Sequence, residues 1–165
     1  MQDSNVILIE DLDKDALHTL LQRYNLKLEC VPLIETIPGS FWGESEAGLV
    51  GNTLFVRPDT PAHSLLHEAC HYICMSADRR QALHTDAGGD YDEESAVCYL
   101  QILLANFLPP LNSRRIMSDM DAWGYSFRLG SASRWFRDDA EDAREWLEEY
   151  HLIDSSSNPT WQLRQ

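Results

Sequence analysis

No uninterrupted apolar run in this sequence approaches the roughly 20 residues a membrane-spanning helix needs. The opening stretch, MQDSNVILIEDLDKD, has no basic region ahead of an apolar segment, so no secretory leader is expected and a soluble, cytoplasmic protein is. Basic residues are scarce: 13 Lys plus Arg stand against 27 Asp plus Glu, a formal charge of −14. Sequence-independent binding to nucleic-acid phosphates or to an anionic membrane is therefore disfavoured. Cysteines number four, Cys30, Cys70, Cys74 and Cys98, and lie in apolar segments instead of a loop framework, so reduced thiols are expected. Cys70 and Cys74 are spaced for one helical face, which keeps a structural thiolate metal site as an alternative; an unpaired cysteine is more often a small buried hydrophobe.

What is present fits one globular domain: 165 residues, 44% hydrophobic and 24% charged. The apolar pattern divides it into a β-rich part over about residues 1–58, a helical part over about 59–153 and a loose tail over 154–165. In the first part, Val6-Ile7-Leu8-Ile9 reads as a strand, Leu12 to Leu21 as a helix and Leu26 to Val31 as a half-buried strand. Between Ser40 and Pro58, apolar pairs such as Phe41-Trp42 and Leu49-Val50 alternate with glycines, suggesting strands joined by turns. Asp59-Thr60-Pro61 is a helix-start signal. A second helix is expected over Ser95–Leu108, closed by Pro109-Pro110, and a third from Ser131 or Ser133 to Ile153. Trp161 is the one tail residue suited to docking.

The helix that follows Pro61 carries His67-Glu68-Ala69-Cys70-His71, the pattern H-E-x-x-H. With six histidines in the chain, chance placement of this pattern is expected about 0.015 times. At about 100° per residue, His67 and His71 project about 40° apart, one turn above each other, so two imidazoles can converge on one ion. Zn²⁺ suits such a site: neutral imidazoles and a third ligand hold it, and one position is left for water. Glu68 lies beside that row, where a carboxylate can take the water's proton during attack on a carbonyl and return it to the leaving amine. The plain alternative is a pair of helical histidines satisfied by hydrogen bonds.

A third ligand is expected from a separate element, and Glu93 or Glu94 at the head of the next helix can supply it. Glu93 is preferred because its row, Ala96, Val97, Leu100, Leu103, Leu104 and Phe107, is apolar throughout, whereas the row of Glu94 meets Gln101. Either glutamate could instead simply complement the helix dipole.

On these residues the chain resembles the zincins, and among them the gluzincins, whose H-E-x-x-H helix is followed by a helix donating a glutamate. It is most similar to small ImmA/IrrE-type metallopeptidases. The matching features are Leu54-Phe55-Val56, His67 to His71, Glu93, Ala96, Leu103-Leu104 and Pro109, spanning about residues 48 to 110. Val97 stands where that family often has Asn or Asp, and the closing proline comes a few residues late. A different zincin branch uses an aspartate as third ligand, and Thr85 to Tyr91 resembles its Gly- and Tyr-containing motif, which makes Asp86 and Asp90 further alternatives.

The resemblance implies an α+β fold, a small, twisted, mainly antiparallel sheet packed with helices. It implies zinc-dependent peptide hydrolysis with His67, His71 and Glu93 as metal ligands and Glu68 as general base. It also implies that an extended peptide or protein substrate pairs with an edge strand around Gly48 to Phe55. Tyr125 or His151 could assist the oxyanion, although each also reads as an ordinary residue, a packed aromatic and a helix C-terminal charge. His63 and His84 could support the ligands from behind. The small size points to a narrow regulatory or processing role. A catalytically inactive binding or regulatory module on the same scaffold is the rival expectation.

Overall fold

A computed structural model describes residues 5–40, 45–82 and 88–165. The chain is α+β, with seven α-helices and one three-stranded sheet among the described residues. Helix α1 (Lys14–Arg23) leads into β1 (Lys27–Cys30), and the β2 (Gly48–Val50)–β3 (Thr53–Val56) hairpin follows. Helices α2 (Ala62–Cys74), α3 (Ala77–Gln81), α4 (Tyr91–Leu104), α5 (Ser113–Trp123), α6 (Ala132–Asp138) and α7 (Glu141–Glu149) complete it.

The sheet order is β1-β3-β2, with β3 central. β2 pairs antiparallel with β3 through a turn at Gly51, whose φ of 59° suits glycine. β1 pairs with β3 in parallel, Lys27 opposite Thr53 through Cys30 opposite Val56, so the sheet is mixed and the expectation of a mainly antiparallel one is corrected. The reason is topological: the chain leaves β1 and returns through β2 on the far side of β3, a step that local alternation does not encode.

Four other expectations change. Val6–Ile9 forms no strand; Ile7 N–H donates to Asp119, Leu8 N–H to Asp11 and Ile9 N–H to the Thr60 carbonyl, and the segment tightens into a 3₁₀ turn at Ile9–Asp11. Thr60 does not cap α2: its hydroxyl accepts from Arg57 N–H, and Pro61 occupies the N-cap position. The long C-terminal helix is split at Asp139-Ala140 into α6 and α7. The tail is docked, not loose. Arg164 N–H donates to the Ile73 carbonyl, and Trp161 packs against Tyr24 and Phe107 at ring separations of 5.6 and 4.9 Å. The predicted Phe41-Trp42 pair lies outside the described residues.

The core lies between the sheet, α2 and α4, where Leu54, Leu65, Leu66, Ile73, Leu100 and Leu104 are fully buried. Helix α2 packs on α4 along much of its length and touches β2, β3 and α5 as well. Eleven of its 13 residues are buried, and His67 and Glu68 are the two that are not. α5, which the sequence analysis did not assign, starts at Asn112, whose side chain accepts from Arg115 N–H, and stops at Gly124 with φ 106°. The next N–H, of Tyr125, turns back to the Met120 carbonyl, and this reversal aims Tyr125 at α2. No helix among the described residues is long and apolar enough to cross a membrane.

Candidate metal centre

The i,i+4 spacing on α2 places the two imidazoles edge to face, with Nε2 of His67 3.1 Å from Nε2 of His71. Across from them stands Glu94 in the first turn of α4, its Oε1 3.1 Å from His67 Nε2 and its Oε2 3.5 Å from His71 Nε2. Ligand nitrogens on one tetrahedral zinc ion lie about 3.3 Å apart, given bonds of about 2.0–2.1 Å, so this donor set fits a single ion without rearrangement of the helices. His67 and Glu94 together with Cys98 form a group whose ligand atoms lie within 4.8 Å of one another.

Glu93 is elsewhere. Its carboxylate, almost wholly buried, receives a two-pronged contact from Arg79 at 2.6 and 3.0 Å and a third from Arg164 at 3.1 Å. The preference for Glu93 over Glu94 is thus corrected on geometry. The apolar row behind Glu93 marks burial alone, because α4 is enclosed by α2, α5 and α7. The row that faces the imidazoles is the polar one: Glu94, Cys98 and Gln101 recur at four and three residues, within about 60° of arc.

Gln101, fully buried, sets the chemistry of His67. Its Nε2 donates to the His63 carbonyl at 2.7 Å, an atom that can only accept, so its Oε1 is the atom 3.0 Å from His67 Nδ1. His67 Nδ1 therefore carries a hydrogen, and Nε2, facing His71 and Glu94, is the nitrogen that takes a proton or a metal. Burial works against charge on His67. The Tyr125 oxygen and hydrogen bonds to Cys98 and Glu94 outweigh it and hold this imidazole well above its usual pKa of 6.5. Burial likewise pushes the Glu94 carboxyl up, but His67 and His71 outweigh that and draw it below the usual range. The surroundings thus favour positive charge where Nε2 of His67 meets Glu94.

A cleft of about 250 Å³ opens in front of the imidazoles, with Glu46, Glu68, Trp123 and Tyr125 in its walls. Glu68 follows His67 on the half-buried border of α2, as its position in the motif requires. Tyr125 Oη lies 3.1 Å from His63 Nδ1 and 3.4 Å from Gln101 Nε2, and burial pushes its pKa up to about 12. His63 is buried beside it, and burial, reinforced by the nearby His67, pushes its pKa down to about 3. It stays neutral. His151 is exposed beyond α7 and is not among the residues lining the cleft. Asp90 is the N-cap of α4, its carboxylate accepting from Glu93 N–H; Asp86 and His84 lie outside the described residues.

Cys70 and Cys74 are fully buried, and burial, aided by neighbouring thiols at Cys70 and chiefly by Glu93 at Cys74, keeps their thiols well above the usual range. They face the core and not the cleft, as small hydrophobes do.

Gln101, Cys98 and Trp123 are the site residues that the sequence did not assign to the centre, whereas Tyr125 was one of two residues offered to assist the oxyanion. The signal for the first two was present, as a polar stripe on an otherwise apolar buried helix. Neither family models, curated proteins nor solved structures yield a match to this chain.

Proposed function

We propose that this protein is a zinc-dependent peptidase in which His67, His71 and Glu94 hold the ion and Glu68 moves the proton. The observation that carries this reading is the convergence of three donors from two helices, at 3.1, 3.1 and 3.5 Å, beside an open cleft. When bound, zinc polarises a carbonyl and lowers the pKa of water toward neutrality. The chain's own residues do the rest. Gln101 fixes the ring of His67 so that Nε2 points outward. Glu68 lies one residue along α2 from His67, where its carboxylate takes the proton of the attacking water and passes it to the leaving amine. Tyr125, held neutral by burial, supplies a hydroxyl at the cleft wall that orients groups by hydrogen bonding.

The peptide surface implied by the resemblance, residues 48 to 55, is partly covered. The Pro38–Ser40 segment lies so close to β2 that a Cβ at Gly48 would fall 2.0 Å from the Pro38 carbonyl oxygen. Substrate entry is therefore assigned to the cleft by α2 and Tyr125.

The test is elemental analysis of the full chain purified without added chelator, joined to cleavage of a peptide library. Wild type should carry about one zinc per chain, lost in His67→Ala and in Glu94→Ala. Glu68→Gln should keep the zinc and lose about 10²–10⁴-fold in turnover, the range for a general base. A folded, zinc-replenished wild type that binds no transition metal overturns the reading.

A further inference from the structure

Cys98 sits one turn beyond Glu94 on the row of α4 that faces His67. Its Sγ belongs to the same compact group as the ligand atoms of His67 and Glu94, all within 4.8 Å. Around one tetrahedral zinc, nitrogen and sulfur ligands lie about 3.6 Å apart, and the sulfur here stands no more than 4.8 Å from the other two ligand atoms. The cysteine is also reachable: a second cleft, about 120 Å³, opens onto Glu94 and Cys98 from the side of Tyr91, Phe127 and Trp135. By contrast, Cys70 and Cys74 line neither this cleft nor the one in front of the imidazoles.

We propose that Cys98 is a fourth donor to the metal held by His67, His71 and Glu94, and that its thiolate closes the resting site. This rests on the metal reading above. Catalytic zinc sites keep one position open, whereas four protein donors close the sphere. Coordination takes the thiolate form and releases the thiol's proton to solvent, so no oxidant or reductant is involved. A peptide carbonyl can approach only when the sulfur has moved aside, which makes Cys98 a latch on the activity and the side cleft the route by which a ligand reaches the latch.

Cobalt(II), added alone to the metal-free full chain, tests this. A sulfur ligand gives an intense near-ultraviolet charge-transfer band, whereas the visible d–d bands report the whole coordination sphere. The expected result is both features at one cobalt per chain in wild type. Cys98→Ser and Cys98→Ala should lose the charge-transfer band and keep one cobalt per chain, with d–d bands that remain but shift as the sulfur leaves the sphere. Visible bands without the charge-transfer band in wild type would overturn the latch and leave the metal reading standing; absence of bound cobalt would overturn both. A band that persists in Cys98→Ser would assign the sulfur to another cysteine and also overturn it. Should neither variant fold, alkylation mapping on wild type decides: cobalt must protect Cys98 and leave the exposed Cys30 reactive.

Discussion

Gln101 Oε1 accepts a hydrogen bond from His67 Nδ1 over 3.0 Å, and this one contact between α4 and α2 decides which nitrogen of the imidazole faces His71 and Glu94. A buried amide with both ends committed, one to a carbonyl and one to a ring nitrogen, cannot flip without losing both bonds.

Removing that amide should loosen the ligand before it loosens the fold. Gln101→Leu is expected to weaken zinc binding about 10–100-fold, the usual cost of losing a group that orients a ligand. Gln101→Glu, which keeps an acceptor for Nδ1–H, should recover most of it. Competition titration with a zinc-binding dye measures both; equal affinity in Gln101→Leu would show that His67 is oriented by other contacts.

The neighbouring glutamates should separate by readout. Glu94→Ala is expected to abolish stoichiometric metal binding with a stability change below about 1 kcal/mol, because its side chain is 43% exposed. Glu93→Ala should bind metal normally and lose roughly 2–4 kcal/mol. It strands Arg164 inside the fold, and the figure is lowered from the fully buried case because Arg79 is 39% exposed. Urea unfolding and elemental analysis on the two variants give both numbers, and a reversal would return the ligand role to Glu93.

Acid should destabilise the chain through His63. Its pKa is about 3 in the fold against 6.5 in the open chain, so between those values the unfolded state binds the extra proton. Stability is then fully present above pH 6.5 and falls as pH drops below it, by about 1.4 kcal/mol per pH unit. His67 does not blur this window: its folded value lies above 6.5, so it adds stability below 6.5 and loses it only at higher pH. Urea unfolding from pH 6.5 down to about pH 5, with chelator present, should show this slope in wild type and a much flatter one in His63→Gln. A flat wild-type profile would mean that His63 is protonated in the folded chain.

The docked tail makes its own prediction. Arg164 joins the α2 C-terminus to Glu93 and stacks its guanidinium 4.0 Å from the Tyr150 ring. Arg164→Ala is expected to cost roughly 2–3 kcal/mol while leaving zinc stoichiometry unchanged, since it touches Glu93 and not Glu94. Loss of metal in this variant would show that the tail also supports the centre.

The sequence by itself determined whatever depends on neighbours along the chain. Four residues of helix bring His67 and His71 together wherever that helix packs, and Glu68 follows beside them. The α2 and α4 helices, the Gly51 turn and the α+β class were legible for the same reason, because period and turn chemistry are local. The choice between Glu93 and Glu94 was not. They differ by about 100° around one helix, and only the packing of α4 against α2 on one side and against Arg79 and Arg164 on another decides which carboxylate meets the imidazoles. Tertiary structure also decided the parallel pairing of β1, the return of Tyr125 to the cleft and the docking of the tail. Each joins segments far apart in the chain, where burial and hydrogen-bond satisfaction outweigh the local pattern.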